Sequence, residues 1–377
     1  MPIKKVLLCD AAFSALPILR ALKARGYHVG VCGSRPEDPG HRLADASFVF
    51  NYSDVEQLAA VFHEHDYEAI IPGCTDVSYG ACWQVAQRFS LPGFDNAEGL
   101  QIFQNKSAYR ENCRTHRLPI PAFTHARDML HALKFPILVK PTESFSGRGI
   151  IKAINIHDVP EVSNADCLYE EFVEGKLYSH SAFIRDQKIV LDFFVNEYCT
   201  VYPYQVNSSH LSTQLDMAMQ ARLRAALETS ARVNGLCDGL VHTQFIANDD
   251  QFWWIEATRR CPGDLYSLLI ARATGVDYAD CYIAGFCGLT LAPPARPYNI
   301  QPISRHTLSV VEDCVFLNAH LEGSFVQADY VPLKKAGEPL KAAPNDRAGI
   351  YFIHHDSLAA MESVTPNLVA HAAVESL

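Results

Sequence analysis

Short apolar strands alternate with helical segments over the first 105 residues, and this order limits the folds open to the chain. Residues 6–9, 27–32 and 69–72 have the apolar runs of buried strands, and helical patterns lie between them. Such alternation predicts a parallel sheet that is covered on both faces. Because these sheets bind ligands at the carboxyl ends of their strands, the turn after residue 72 is a candidate substrate site. Its candidate residues are Gly73, Thr75 and Asp76.

The composition is that of an ordinary globular protein, and it argues against several classes. A length of 377 residues predicts two or three domains, at about 150 residues each. The formal net charge of −10 argues against a nucleic-acid surface, and no apolar run approaches the ~20 residues that cross a bilayer. The 12 cysteines include no Cys-x-x-Cys pair, so a zinc or redox site is not favoured. With no signal peptide expected, we predict a cytoplasmic protein with reduced thiols and no nucleic-acid or membrane partner.

Lys140 ends an apolar strand and precedes a glycine-rich loop, an arrangement that suggests a phosphate clamp. A lysine at the end of a buried strand is costly unless its charge meets an anion. The loop offers a hydroxyl and backbone N–H groups that suit phosphate oxygens. The alternative interpretation is an ordinary hairpin whose lysine reaches solvent. The loop residues are Ser146, Gly147, Arg148 and Gly149.

A second candidate site lies on a predicted hairpin. Two strands flank a turn at residues 248–250, and pairing across this turn would bring Gln244 and Glu256 to the same face. Two oxygen ligands are what Mg²⁺ usually takes from a protein, with phosphates and water completing its shell. Arg260 follows closely and can stabilise charge that develops on a transferred phosphoryl group. The alternative interpretation is an edge hairpin with solvated polar residues.

The order and spacing of these features resemble the ATP-grasp superfamily over residues 3–295. The resemblance implies a fold of the α/β and α+β classes. A parallel-sheet pre-ATP-grasp domain precedes a two-subdomain ATP-grasp fold and a small β-rich C-terminal part. The implied boundaries are 1–105, 106–180 for subdomain A, 181–295 for subdomain B, and 296–377. ATP would lie between the two subdomains with Mg²⁺, or with Mn²⁺ in its place.

The resemblance also implies which residues hold the nucleotide. Lys106 and Lys140 match the two nucleotide lysines, and the loop at 146–149 matches the loop that covers the phosphates. Glu170 would accept a hydrogen bond from the adenine amino group. The adenine contact would be completed by the backbone of Glu171, Phe172 and Val173. Leu177 stands where the family has a ribose-binding glutamate, so Glu171, Tyr178 or His180 would have to compensate; weak nucleotide binding is the alternative.

The metal and the reaction are implied in the same way. Gln244 and Glu256 match metal ligands, and Thr258 replaces the asparagine of the family signature while still offering an oxygen. Lys140 and Arg260 would be the catalytic residues, because the ATP-dependent reaction of this family needs its reactants to be positioned and their charge to be neutralised.

The activity implied is that of an ATP-dependent carboxylate–amine ligase. A carboxylate would attack the γ-phosphate of ATP, and an amine would then displace phosphate from the acyl phosphate. Arg259 could hold a substrate carboxylate and Asp264 an ammonium group, which favours an amino acid; alternatively, Asp264 is a turn or N-cap residue. The other interpretations are a carboxylase-like ATP-grasp reaction and a nucleotide-binding protein without catalysis. We expect small carboxylate and amine substrates as partners, and a homodimer is compatible with the sequence.

Overall fold

The computed structural model describes residues 4–142, 147–161, 167–291, 299–323 and 325–377. In its N-terminal part, strands and helices alternate as the sequence predicts. These elements are β1 (Lys5–Cys9), α1 (Leu16–Ala24), β2 (His28–Gly33), α2 (Gly40–Leu43), β3 (Ala46–Val49), α3 (Val55–Glu64), β4 (Ala69–Pro72) and α4 (Asp76–Phe89). The four strands pair in the order β3-β2-β1-β4, and every pair is parallel. The predicted parallel sheet is thus confirmed.

Both faces of this sheet are buried, because successive residues of β1 point to opposite sides. Val6 and Leu8 pack in the core that α1 lines, whereas Leu7 and Cys9 pack in a second core with α3 and α4. An apolar residue at each of these positions is what a strand covered on both faces requires. The carboxyl ends of β1 and β4 are neighbours, which places Asp10 beside the turn that precedes α4.

The next part combines two helices with a small antiparallel sheet. Its elements are α5 (Ala97–Gln104), α6 (Lys106–Thr115), β5 (Phe123–Thr124), β6 (Ile137–Pro141), β7 (Ile151–Ala153) and β8 (Cys167–Glu171). The strand order is β5-β8-β6-β7. The strand that carries Lys140 is therefore an inner strand, and Ile137, Val139 and Tyr169 build a small core on this sheet.

A large antiparallel sheet and its helices form the remainder. The elements are β9 (Lys176–Arg185), β10 (Lys188–Tyr198), β11 (Ser208–Leu211), α7 (Met217–Val233), β12 (Gly239–Ala247), β13 (Phe252–Thr258), α8 (Tyr266–Thr274), α9 (Tyr278–Phe286), β14 (Ile303–Leu308), β15 (Cys314–Leu321), β16 (Gln327–Pro332), β17 (Pro339–Leu340), β18 (Gly349–His354), α10 (Leu358–Val364) and β19 (Ala372–Ser376). Eight strands pair in the order β13-β12-β9-β10-β11-β14-β18-β16. One face of this sheet packs on α7, and the other packs on α8 and α9. Across the described ranges, no helix has the length and apolar character needed to span a bilayer.

The predicted β-rich C-terminal part is present, and most of it continues the large sheet. β14, β18 and β16 extend that sheet beyond β11, while β15, β17 and β19 form a separate three-stranded sheet. The connection is made by backbone hydrogen bonds between β11 and β14, which a sequence pattern does not reveal. The boundaries at residues 105, 180 and 295 stay predictions.

Candidate active site

Lys140 and Glu170 form a buried charge cluster on the neighbouring strands β6 and β8. The Lys140 ammonium contacts the Glu170 carboxylate, and Arg110 Nε donates to the same carboxylate at 2.5 Å. Burial alone would raise the pKa of Glu170, but the charges of Arg110 and Lys140 outweigh it and bring the pKa to about 2. Glu170 is therefore a fixed carboxylate, and it keeps lone pairs that can accept from an amino group.

Arg110 is a residue that the sequence argument missed. It lies four residues after Lys106 on α6, so the two side chains share one face of the helix. Its Nη2 also donates to the carbonyl of Ile255 on β13 at 2.8 Å. Arg110 thereby connects the Glu170 cluster to the hairpin of the predicted metal ligands. The spacing of two basic residues at the start of one helix was the signal available in the sequence.

Lys106 lies close to the same cluster. It opens α6, whose N-cap Asn105 accepts through Oδ1 from the N–H of Ala108 at 2.9 Å. Lys106 Nζ donates to the carbonyl of Pro141, at the end of β6, at 3.4 Å. Burial lowers the pKa of Lys106, and the charge of Lys140 acts in the same direction. Two ammonium groups held near each other favour an anionic ligand between them.

The glycine loop lies against two connecting segments, the one between β10 and β11 and the one between β17 and β18. Gly147 has a φ of +71° and Gly149 a φ of +72°, which glycine adopts without steric cost. A Cβ at Gly147 would stand 2.8 Å from the carbonyl oxygen of Tyr204, so this close approach also requires glycine. Arg148 Nη2 donates to the carbonyl of Pro344 at 3.4 Å. Ser146, the remaining loop candidate, lies outside the described residues.

The predicted adenine hinge follows β8. The N–H groups of Glu171 and Phe172 donate at 2.9 Å to the carbonyls of Ala122 and Pro136. The Glu171 carboxylate accepts from the N–H of Lys134 at 2.8 Å. These bonds occupy the N–H groups of Glu171 and Phe172, so the predicted backbone contact with adenine would fall to Val173 and to hinge carbonyls.

The hairpin of β12 and β13 brings the predicted metal ligands together. Gln244 and Glu256 are directly opposite each other in the ladder, which confirms their predicted common face. Gln244 Nε2 donates to the buried carboxylate of Glu197 at 2.6 Å, so the amide oxygen remains for a metal. Within the described residues, no group of three or more His, Cys, Asp or Glu side chains is arranged to hold a metal alone. One exposed carboxylate and one amide oxygen fit Mg²⁺ when phosphates supply further ligands.

Arg260 pairs with Asp76 across the boundary between the hairpin and the N-terminal sheet. Arg260 Nε lies 2.8 Å from Asp76 Oδ1, and Thr258 Oγ1 donates to the same oxygen at 3.3 Å. Burial alone would lower the pKa of Arg260, but Asp76 outweighs it and raises the pKa. Three predicted residues from two distant parts of the chain thus meet at one point.

Gly73 and Thr75 fix the position of Asp76. The N–H of Gly73 donates to the carbonyl of Cys9 at 3.1 Å and to Ser78 Oγ at 2.8 Å. Thr75 is the N-cap of α4, and its Oγ1 accepts from the N–H of Ser78 at 3.0 Å. The first turn of α4 is therefore fixed against β1, with Asp76 on its open side.

Arg259 does not place its side chain beside those of Asp76 and Arg260. Its guanidinium is buried, with Nε 2.8 Å from Asp95 Oδ2, and it donates to the carbonyls of Leu240 and Cys237 at 2.7 Å each. Because the β13 ladder turns Thr258 and Arg260 toward Asp76, the residue between them points into the core. These contacts occupy the guanidinium that was expected to bind a substrate carboxylate.

Asp264 forms an ion pair that the sequence did not predict. Its Oδ1 lies 2.9 Å from Arg347 Nε, and its backbone carbonyl accepts from Arg305 Nη1 at 2.8 Å. The N-cap of α8 is Leu265, which makes no side-chain cap bond. Glu197 and Arg305 were also missed; each lies among other polar residues of its strand, β10 or β14, so neither stands out in the sequence.

No family model matches the chain, but curated sequences and solved structures do. The formate-dependent phosphoribosylglycinamide formyltransferase of Prochlorococcus marinus (strain NATL2A) is 25% identical over 201 residues, which are 51% of this chain and 48% of that protein. The D-alanine–D-alanine ligase of Alcanivorax borkumensis is 28% identical over 176 residues, 43% of this chain and 56% of that protein. The chain spans about half the length of the curated relatives it matches.

Two solved structures share the fold over the whole chain. An L-amino acid ligase from Bacillus licheniformis superposes with a TM-score of 0.81 at 13% identity, covering 100% of both chains. The biotin carboxylase domain of the 2-oxoglutarate carboxylase of Hydrogenobacter thermophilus gives a TM-score of 0.79 at 14% identity, covering 100% of this chain and 91% of that one. At these identities the likeness concerns the fold. The sequence relatives and these solved structures are ATP-grasp enzymes, which confirms that this chain resembles the ATP-grasp superfamily.

Proposed function

We propose that the chain is an ATP-dependent ligase that activates a carboxylate as an acyl phosphate and joins it to an amine. The observation that carries this proposal is the meeting of Arg260, Thr258 and Asp76 beside the Gln244–Glu256 pair. A guanidinium next to candidate metal ligands can stabilise charge on a transferring phosphoryl group. A cation in this position suits chemistry on phosphate better than simple nucleotide storage.

The names of the sequence relatives support the same class of reaction. One relative is a formate-dependent formyltransferase that acts on phosphoribosylglycinamide, and the other joins D-alanine to D-alanine. Both names describe a carboxylate joined to an amine. Because this chain covers about half of their length, activity and substrates are proposed for it here.

ATP would be held by the residues around β6 and β8. Lys106 and Lys140 would meet the phosphates, Glu170 and the hinge at 171–173 would receive adenine, and the loop at 146–149 would cover the phosphates. Lys140 already contacts Glu170, so nucleotide binding would make the lysine share its charge between a carboxylate and a phosphate. Ribose would be held without the usual glutamate, since Leu177 stands in its place.

Gln244, Glu256 and Thr258 would hold Mg²⁺ or Mn²⁺ together with the phosphates of the nucleotide. When bound, this metal would neutralise charge on the phosphate oxygens. The Gln244 amide is oriented for this role by its bond to Glu197. Thr258 Oγ1 donates to Asp76 and accepts from the N–H of Arg260, which leaves one lone pair for the metal.

The reaction itself requires no covalent nucleophile from the protein. A substrate carboxylate would attack the γ-phosphorus while ADP leaves, and an amine would then attack the acyl carbon while phosphate leaves. The chain's residues would position these groups and neutralise their charge. Arg260 would act mainly as negative charge develops on the transferring group, and Lys140 mainly on the bound nucleotide.

A second candidate is a carboxylase-like reaction in which bicarbonate is the activated acid. It is favoured by the fold of a biotin carboxylase domain that covers this chain completely. It would use the same nucleotide and metal residues, so only the acid and the acceptor differ.

Trapping with hydroxylamine tests the proposal. The chain is incubated with Mg-ATP, hydroxylamine and a pool of carboxylic acids that includes the twenty common L-amino acids. We expect ADP and a hydroxamate in equal amounts, because hydroxylamine captures acyl phosphates. ADP with bicarbonate alone would favour the second candidate, and no ADP under any condition would favour a protein that binds nucleotide without catalysis. The predicted homodimer is measured separately by light scattering.

A further inference from the structure

Glu197, Ser209 and Arg305 form a polar row across the middle of the large sheet. Ser209 on β11 lies directly opposite Glu197 on β10 and directly opposite Arg305 on β14, so the three side chains leave the same face. It is the face of Gln244, which donates to Glu197 at 2.6 Å. The row therefore runs from the proposed metal site to the loop of Asp264, whose carbonyl accepts from Arg305.

The charges of this row are buried but kept apart. Relative exposure is 5% for Glu197, 0% for Ser209 and 3% for Arg305. Because β11 lies between β10 and β14, the backbones that carry the two charges are about 9.5 Å apart, two strand spacings. Burying an anion and a cation without joining them costs free energy. A ligand with one charge at each end would join them.

Two polar atoms of the row have no hydrogen-bond partner among the described residues. They are Arg305 Nε and Ser209 Oγ. Such orphaned buried groups are uncommon in native proteins and call for an explanation. Both belong to groups that donate to anions, and both lie on the face shared with Gln244.

Arg305 also differs from the other arginines of this region. Arg110, Arg259 and Arg260 each lie beside a carboxylate, which outweighs the effect of burial and raises the pKa. Burial instead lowers the pKa of Arg305, although nearby carboxylates act in the opposite direction. The hydrogen-bond partner of its Nη1 is a backbone carbonyl, that of Asp264, and not a carboxylate.

We propose that this row binds the amine-donating substrate as an α-amino acid zwitterion, with its carboxylate on Arg305 and Ser209 and its ammonium group on Glu197. Glu197 still has lone pairs beyond the one that accepts from Gln244. A donor held in this way has its nitrogen next to the Gln244–Glu256 pair, where the acyl phosphate would form. The assignment as amine donor rests on the proposed function; the binding of a zwitterion does not. Amino-acid recognition, expected at Arg259 and Asp264, moves to residues that the sequence did not suggest.

Equilibrium dialysis tests this site without any turnover. The full chain, saturated with Mg-ADP, is dialysed against a mixture of the twenty common L-amino acids, each radiolabelled in turn. We expect the wild type to retain at least one amino acid but not its N-acetyl or carboxamide form. Arg305→Met should weaken the retained amino acid about 30-fold or more, and Ser209→Ala about tenfold. Arg272→Met is the matched control, because Arg272 pairs with Asp329 nearby but outside the row.

Each outcome decides a separate point. Far-UV circular dichroism shows whether Arg305→Met folds. If it does not fold, the proposal is tested with Ser209→Ala alone. Equal retention by the wild type and both variants overturns the proposal, and so does a wild type that retains no amino acid or retains the blocked forms equally well. Retention without any ADP or hydroxamate in the trapping assay would overturn the ligase proposal while leaving the zwitterion site intact.

Discussion

Asp76, at the first position of α4, holds the guanidinium of Arg260, which lies two residues beyond β13. Nε and Oδ1 are 2.8 Å apart, and Nη2 and Oδ2 are 3.4 Å apart. The two residues are separated by 184 positions in the chain. Their side chains are partly exposed, so the pair contributes little to stability. The pair instead orients Arg260, because Asp76 fixes the position of the guanidinium relative to the hairpin.

Removal of the Asp76 charge is therefore expected to slow the reaction more than it weakens nucleotide binding. Asp76→Asn keeps the size of the side chain but releases Arg260 to other orientations. We expect turnover to fall about tenfold to hundredfold, with a much smaller change in the dissociation constant of ATP. Steady-state kinetics and calorimetry measure the two effects. Glu56→Gln breaks the exposed Glu56–Arg88 pair of the same domain and should change neither; equal losses in both variants would contradict the prediction.

Arg260→Ala tests the catalytic role directly. Negative charge on the transferring phosphoryl group is stabilised mainly during the reaction, so turnover should fall by orders of magnitude while ATP affinity changes less. The measurement is single-turnover ADP formation at saturating ATP. Preserved turnover with weaker ATP binding would make Arg260 a ground-state phosphate contact instead.

Arg259→Met is expected to act on stability. Removal of this guanidinium leaves the Asp95 carboxylate buried without its ion pair, and it also leaves the carbonyls of Leu240 and Cys237 without a donor. We expect the free energy of unfolding to fall by about 3–5 kcal/mol, measured by urea denaturation. Arg272→Met, which removes a more exposed ion pair, should cost about 1 kcal/mol or less. A folded, fully stable Arg259→Met chain that loses only substrate binding would restore the substrate role expected from the sequence.

The contrast between Arg259 and Arg260 shows where prediction from this sequence ends. Strand periodicity and turn residues were sufficient for the N-terminal parallel sheet and for the β12–β13 hairpin. The exact Gln244–Glu256 pairing also needs a β-bulge between Gln244 and Phe245, which the turn residues do not predict. Which of two adjacent arginines points into the core depends on Asp95, far away in sequence. The same holds for Glu197 and Arg305, which share a face only because β11 pairs with both neighbouring strands. Contacts of this kind are set by tertiary packing and leave no local pattern.

Glu170 should make stability depend on pH in the acid range. Its pKa of about 2 in the folded chain lies below the value of about 4.3 in an unfolded chain, so its charge stabilises the folded state above pH 4.3. This contribution, about 3 kcal/mol, is lost as the pH falls from about 4.3 towards 2. The difference in unfolding free energy between the wild type and Glu170→Gln should thus be largest at pH 7 and fall by about half at pH 3. A difference that does not change between pH 7 and pH 3 would contradict the low pKa.

Metal binding should require nucleotide, because the hairpin offers few charged ligands. In the Gln244–Glu256 pair, Glu256 is an exposed carboxylate and Gln244 is neutral. Thr258 is also neutral, and its hydroxyl donates a hydrogen bond to Asp76. Mg²⁺ binds weakly to such a set until phosphate oxygens complete its shell. Titration of Mn²⁺, followed by the relaxation of water protons, should show strong binding with ADP present and little without it.

Variants of the same hairpin make this last test specific. Glu256→Gln removes the one charged ligand and should abolish both the nucleotide-dependent Mn²⁺ signal and turnover at ordinary Mg²⁺. Thr258→Asn supplies an amide oxygen and should retain or raise both. Asp249→Asn removes an exposed carboxylate from the turn of the hairpin and should leave both unchanged, since it lies beyond the paired ligands. Tight Mn²⁺ binding by the nucleotide-free chain, or a Glu256→Gln variant that still binds, would mean that other carboxylates hold the metal, and Glu197 would be the first to examine because it already contacts Gln244.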